Sequence, residues 1–111
     1  IFGDGGFGFN GFEFDTFVRL GIPIIGIVGM DGVWNNIKTF HEAYAPGNTV
    51  ADSLGYRPYH KYVESIGGYG QIVKKPKDLI PALKKAEESG RPSLINVQLD
   101  QTVRNSSNYD S

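Results

Sequence analysis

The stretch from Gly3-Asp4-Gly5-Gly6 to Asp31 constrains this chain more than any other. It opens with an acid bracketed by glycines and passes through an aromatic segment, Phe7 to Leu20. It then enters the apolar run Ile22-Pro23-Ile24-Ile25-Gly26-Ile27-Val28. The run ends at Gly29-Met30-Asp31-Gly32-Val33-Trp34, which sets a second acid 27 positions after the first. A helix followed by a buried strand is the repeating unit of a parallel α/β sheet. In such a sheet both aspartates stand at the carboxyl ends of neighbouring strands, the rim where open α/β sheets bind ligands. A glycine-rich turn leading into a helix presents free backbone N–H groups and a favourable dipole to an anion. Two carboxylates would repel a phosphate there unless a divalent cation lay between them. Mg²⁺ is bound in this way, by one or two carboxylates plus ligand phosphates and water. The residues thus predict a site for a diphosphate and a divalent metal.

The 111 residues suffice for one small domain, and 40% hydrophobic with 21% charged residues is an ordinary globular composition. A net charge of −1 gives no reason to expect nucleic acid or an anionic membrane as a partner. The absence of cysteine excludes a disulfide scaffold and a thiolate site, and two scattered histidines do not suit a fourfold transition-metal site. No apolar run is of membrane-spanning length, so no membrane contact is expected from this segment. Ile1-Phe2 reads as the end of a strand whose start precedes the chain. The expectation is a C-terminal portion of a longer protein.

The remaining pattern alternates helices and strands. Phe9 to Leu20 reads as a helix with Asn10 as N-cap, Phe14, Phe17 and Val18 on one face, and an Asp15–Arg19 pair on another. Gly21 before Pro23 stops it. Six of the seven phenylalanines fall within the first seventeen positions, and core packing is the expected role. Ile22 to Val28 lacks polar alternation, as a strand covered on both faces would. From Gly32 to Gly55 the chain is weakly patterned, with a helical turn at Phe40 to Tyr44 and a break at Pro46-Gly47-Asn48. Long loops of this kind often cover active sites. Arg57 to Ile66 is a helix with Tyr59, Tyr62, Val63 and Ile66 at helical spacing, ended by Gly67-Gly68. Tyr69 to Val73 is a strand. Asp78 caps a helix running to Ser89 with the stripe Leu79, Ile80, Leu83 and Ala86, and Gly90 stops it. Ser93 to Leu99 is the last strand, and Gln101 to Ser111 is a polar tail. The predicted fold class is α/β, the C-terminal portion of a doubly wound parallel sheet with a truncated first strand, occupying residues 1–100 ahead of the tail 101–111.

Other residues carry weaker signals. His60 falls on the polar face of its helix and reads as a surface residue. His41 lies in the loop that covers the rim and is a candidate for the substrate pocket. Trp34 either lines that pocket or anchors the loop, and Asn35 and Asn36 either contact the ligand or cap the next turn. Glu13 reads as a helix-surface acid. Lys74, Lys75, Lys77, Lys84 and Lys85 are interspersed with Glu87 and Glu88 and read as a solvated face. Asn105-Ser106-Ser107 matches an N-glycosylation sequon, a triplet common by chance. A nucleotide-binding module is the rival class, but the first turn lacks the Gly-x-Gly-x-x-Gly spacing and no Walker lysine follows.

The Gly3-to-Asp31 stretch resembles the diphosphate-binding motif of thiamine diphosphate (ThDP) enzymes, which runs from Gly-Asp-Gly to an Asn-Asn pair under thirty residues later. The resemblance implies a Rossmann-like ThDP-binding domain and ThDP with Mg²⁺ as cofactors. It makes Asp4 the first metal ligand, Asp31 the second in place of the second Asn, and the Val33 backbone carbonyl the third. Gly3, Gly5, Gly6 and Trp34 join them around the cofactor. Met30-Asp31 departs from Asn-Asn, and Asn35-Asn36 comes four residues too late to be that pair. Glu13-Phe14-Asp15-Thr16-Phe17-Val18-Arg19, Trp34, Val50-Ala51, Leu54, Tyr56, Tyr59-His60-Lys61, Gly67 and Gly70 narrow the resemblance to acetolactate synthase-like proteins of the endoplasmic-reticulum 2-hydroxyacyl-CoA lyase type. That type cleaves a 2-hydroxyacyl-CoA into an aldehyde and formyl-CoA. Acetolactate synthase, oxalyl-CoA decarboxylase and a catalytically degenerate subunit are the alternatives. The resemblance further implies an acyl-CoA or 2-keto acid substrate and at least a homodimer. The glutamate that activates the cofactor comes from another domain, usually of a second subunit, so no catalytic residue is expected in this chain and the isolated chain is expected to be inactive.

Overall fold

In a computed structural model, which describes residues 1–103, four parallel strands lie in the order β1-β2-β4-β3. They are β1 (Phe2–Gly3), β2 (Ile25–Met30), β3 (Tyr69–Val73) and β4 (Ser93–Gln98). Five helices connect them: α1 (Asp4–Asn10), α2 (Glu13–Leu20), α3 (Asn35–Tyr44), α4 (Tyr59–Ser65) and α5 (Leu79–Ser89). The sequon and the tail beyond Val103 lie outside the described residues.

Two cores divide the sheet by face. Phe7, Phe14, Val28, Met30, Val63 and Leu94 fill one side, with Phe2, Phe17, Tyr59, Tyr62 and Ile66 packed around them. Val73, Ala82, Ala86 and Ile95 fill the other beneath α5. Helices on both faces of a parallel sheet make this the expected doubly wound α/β architecture. Along β2 the residues alternate between buried and half-buried, because α5 leaves the second face of this strand partly open. The strand begins at Ile25 rather than Ile22. Gly21 closes α2 in the left-handed conformation at φ 67°, and the Ile24 N–H folds back onto the Ile22 carbonyl before pairing begins.

The first helical segment starts earlier than its periodicity suggests and is broken. Helix α1 follows β1 directly, with the Gly-Asp-Gly-Gly run as its first turn, and Asn10 is its last residue rather than a cap. Gly11 then accepts the N–H of Phe14, and a side chain at Gly11 would collide with the Phe7 ring. The kink brings Phe7 and Phe14 under the sheet but turns Phe9 and Phe12 outward, at 81% and 82% exposure. Core packing therefore accounts for four of the six early phenylalanines, not for these two. The Asp15–Arg19 pair forms as expected, at 2.9 Å.

Three further expectations need correction. The weakly patterned loop holds a ten-residue helix, α3, not a single turn. In α5 the stripe is Leu79, Ala82, Leu83 and Ala86, and Ile80 is 58% exposed. His60 is buried, not on the surface. A Cβ on Gly70 would strike the His60 carbonyl, so glycine at this point of β3 lets α4 settle directly on the strand. The His60 ring then faces Asn96 of β4, with its Nδ1 3.4 Å from Asn96 Nδ2, and burial lowers the His60 pKa so that the ring stays neutral.

These packing assignments lead to a stability test. Phe14→Ala should lower the unfolding free energy by about 3–5 kcal/mol. Ile80→Ala should cost less than about 1 kcal/mol, since its side chain is largely solvated. Urea midpoints of the two variants measure the difference, and equal losses would contradict the assigned faces.

Candidate functional site

The register of β1 on β2 pairs Phe2 with Val28 and Gly3 with Gly29. Both strands end at the same rim, so Asp4 and Asp31 emerge side by side. Asp4 is 3% exposed. Its Oδ1 accepts the Gly5 N–H at 3.0 Å, and its Oδ2 accepts the Gly32 N–H at 2.7 Å. One carboxylate thereby joins the turn after β1 to the turn after β2. Burial raises the Asp4 pKa, the N–H of Gly32 counters that, and the nearby Asp31 charge raises it further. Asp31 is held separately: its Oδ1 accepts the Val33 N–H at 3.2 Å and its Oδ2 accepts Asn35 Nδ2 at 3.3 Å. Among the described residues, the ion pairs engage neither aspartate with a basic side chain.

The glycines of the first turn differ in what surrounds them. A Cβ on Gly5 would lie 2.6–2.8 Å from ring carbons of Trp34, so the indole packs directly on this residue. A Cβ on Gly3 or Gly6 would meet nothing within 4 Å and would project into open space. Gly3 to Gly6 line a cleft with Asp31, Val33, Trp34 and Asn35, to which Ile37 and Leu99 add an apolar side. Every residue expected to surround a diphosphate lines it. Trp34 also meets Phe9, with ring centroids 5.6 Å apart, which gives that exposed phenylalanine a partner at the mouth.

The segment after β2 is fastened to its own return. The Gly32 carbonyl accepts the N–H groups of Leu54 and Gly55, and the Trp34 N–H donates to the Asp52 carbonyl at 2.8 Å. These bonds make Val33 and Ser53 an isolated antiparallel bridge of the non-hydrogen-bonded kind. The N–H and carbonyl of Val33 therefore face away from Ser53. Gly32 takes a positive φ of 78° in this tight crossing, where a side chain would press on the backbone of Gly55. His41 does not line the cleft. Its Nδ1 lies 2.9 Å from the carboxylate of Asp52, which is only 2% exposed. Asn36 lines the cleft mouth, and Asn35 opens α3 while donating to Asp31. Asp52 carried no sequence signal. It stands between Ala51 and Ser53 in the weakly patterned loop, eleven positions from its partner.

The donors at this rim are oxygens and backbone N–H groups. Among the described residues no cluster of three or more His, Cys, Asp or Glu side chains is placed to hold a metal. Two neighbouring carboxylates are hard donors, suited to Mg²⁺ or Ca²⁺ rather than to zinc or copper. No described helix is long and apolar enough to cross a membrane.

Comparison with known proteins agrees with this geometry. Residues 1–97 match the family described as thiamine pyrophosphate enzyme, C-terminal TPP binding domain. An acetolactate synthase large subunit from Mycobacterium tuberculosis is 39% identical over 101 residues, covering 91% of this chain and 18% of that protein. Human 2-hydroxyacyl-CoA lyase 2 is 34% identical over 107 residues, covering 92% of this chain and 17% of that protein. The chain thus spans under a fifth of the length of these relatives. Among solved structures, a benzoylformate decarboxylase from Polynucleobacter necessarius superposes with a TM-score of 0.81 at 20% identity, covering 92% of this chain and 19% of that one. At that identity the likeness concerns the fold. The match across residues 1–97 and the parallel sheet with its glycine-rich rim make the chain a member of the C-terminal TPP-binding domain family of thiamine pyrophosphate enzymes.

Proposed function

We propose that this chain holds the diphosphate end of ThDP through Mg²⁺, as part of a carbon–carbon lyase or ligase. The observation that carries the reading is Asp4: a buried carboxylate beside a second carboxylate, with no basic side chain paired to it among the described residues, in a cleft that Gly3, Gly5 and Gly6 also line. A divalent cation resolves that charge conflict, and a diphosphate completes its coordination. Asp4, Asp31 and the outward-facing carbonyl of Val33 would hold the metal. The backbones of Gly5 and Gly6 would face the diphosphate, and Trp34 would wall the site. When bound, ThDP supplies an electron sink for the negative charge that develops at a carbonyl carbon during bond cleavage or formation. The residues of this chain bind and orient; none is placed here as a proton-transfer group.

For the parent activity we favour the 2-hydroxyacyl-CoA lyase type, with an acyl-CoA substrate and a homodimer or larger assembly. The motif details that suggested this type are supported by 33–36% identity to the 2-hydroxyacyl-CoA lyase 2 proteins of cattle, human and mouse. Acetolactate synthase chemistry on a 2-keto acid is the second reading, favoured by the 39% identity to the mycobacterial enzymes.

Trp34 is the sole tryptophan and reports on the site. Titrating the chain with ThDP should produce a saturable fluorescence change that requires Mg²⁺ and occurs without turnover. Asp4→Ala should abolish that change. A folded wild-type chain that shows no Mg²⁺-dependent response would count against the reading.

Proton competition fixes the sign of a pH effect, and the raised Asp4 pKa moves that effect upward in pH. A proton and the cation compete for the same carboxylate oxygens, so Mg²⁺ affinity should weaken as pH falls. The loss should approach about tenfold per pH unit below the Asp4 value and flatten above it. Mg²⁺ titrations at a series of pH values measure the slope; an affinity that rises in acid would exclude Asp4 as a ligand.

The glycines provide a third test. Gly6→Ala should keep the fold and even gain up to about 1 kcal/mol of helix stability. It should nevertheless weaken ThDP binding, because Gly6 lines the cleft and the added methyl group reduces the room beside it. Gly5→Ala should instead displace Trp34 and lower the melting temperature. Thermal melts paired with ThDP titrations separate the two variants.

A further inference from the structure

We infer that His41 and Asp52 act as a positioning pair, holding Val33 and Trp34 in place for the cation and diphosphate; this inference rests on the function proposed above. The pair lies outside the cleft, yet it controls the segment that forms one wall. Asp52 is buried, and its carboxylate meets His41 Nδ1 through both oxygens, at 3.0 and 2.9 Å. The same residue accepts the Trp34 N–H on its backbone carbonyl at 2.8 Å. His41 projects from α3, whose first turn begins immediately after Trp34. The result is a closed circuit: Trp34 leads into α3, α3 carries His41, His41 holds Asp52, and Asp52 returns to Trp34.

Other bonds carry the constraint to the aspartates. Leu54 and Gly55 donate to the Gly32 carbonyl, and the Gly32 N–H donates to Asp4 Oδ2. Gly32 is therefore held from both sides, by Asp4 and by the loop segment 52–55. The bridge between Val33 and Ser53 orients the Val33 carbonyl away from Ser53. The His41–Asp52 contact adds a side-chain tie to the three backbone hydrogen bonds that hold residues 52–55 against residues 32–34. The segment between α3 and α4 contains Pro46, Gly47 and Gly55 and little regular structure. A buried carboxylate without its partner is also costly, so removing His41 would drive Asp52 toward solvent and take the Trp34 bond with it.

Groups that orient metal ligands without touching the metal typically affect metal affinity by about 10–100-fold when removed. His41→Ala should therefore raise the Mg²⁺ concentration for half-maximal Trp34 response, at fixed ThDP, by about tenfold or more. In the ligand-free chain the same variant should make Trp34 more accessible to acrylamide quenching. His41→Gln, which keeps one N–H donor for Asp52, should recover most of both effects. Phe17→Ala serves as the control. It loosens packing under α2 without touching the His41–Asp52 pair, and should lower the melting temperature without moving the Mg²⁺ midpoint.

The outcomes separate cleanly. A His41→Ala chain with wild-type quenching and a wild-type Mg²⁺ midpoint overturns the inference. So does a Mg²⁺ midpoint that shifts equally in Phe17→Ala, because the effect would then follow stability alone. If His41→Ala frees Trp34 while wild type shows no response to Mg²⁺ and ThDP, the clamp on the loop stands and the cofactor reading fails.

Discussion

The hydrogen bond from the Gly32 N–H to Asp4 Oδ2 is the contact on which the rim depends. It spans 28 positions of sequence and joins two turns that the sheet only brings near one another. A strand pairing of two residues, as between β1 and β2, would not by itself fix the position of a side chain at the strand end. A charge-assisted bond at 2.7 Å does, because a carboxylate accepting a buried N–H is both stronger and more directional than a neutral pair. The cost is a buried negative charge near a second one. Burial outweighs the two N–H donors, so the Asp4 pKa rises rather than falls. Ligand-binding sites commonly hold such unresolved conflicts, and here the conflict points to the class of ligand.

Packing around the rim follows from glycine at a few positions. Gly5 is bare because Trp34 covers it, and Gly26 is bare because Phe14 and Leu94 press on β2 from one face. Gly70 lets α4 lie on β3, which pushes Tyr59 toward Phe7, with ring centroids 5.2 Å apart. Tyr59 in turn stands close enough to Asp4 for that charge, after burial, to raise its hydroxyl pKa. The aromatic cluster of the first core thus reaches up to the floor of the cleft. It excludes water from beneath Asp4, which strengthens every electrostatic interaction there.

Much of this was readable in advance where the signal was local. The two aspartates, the helix stops at Gly21 and Gly90, the strand at Tyr69 to Val73 and the stripe of α4 all rest on short-range chemistry: glycine conformations, apolar periodicity and the length of the βαβ unit. What escaped depended on contacts between distant segments. His60 occupies a polar position in its helical pattern, yet Gly70 and Asn96 from two strands enclose it. Ile80 fits an apolar stripe, but the small residues Ala82 and Ala86 make the contact with the sheet. The pairing of His41 with Asp52 required a loop geometry that no periodicity encodes. Of the site, the floor was legible and the fastening was not.

The departure at Met30-Asp31 from the Asn-Asn pattern can be understood within the same frame. Met30 is buried at 2% exposure and belongs to the first core, and the Arg57 N–H approaches its sulfur at 3.1 Å. The position has become a packing residue that ties the 54–58 segment to the end of β2, with Asn96 Nδ2 donating to the Arg57 carbonyl at 2.8 Å from the other side. Asp31 carries a charge that an asparagine would not. Two donors close at hand moderate it, the Val33 N–H and the amide of Asn35. Asn35 belongs to an Asn-Asn pair that is out of register with the family motif, yet its side chain reaches back four positions to the acid. The first residue of α3 thus supplies an amide donor to the carboxylate at the end of β2. Both oxygens of Asp31 are thereby held by local donors at the point where the side chain lines the cleft.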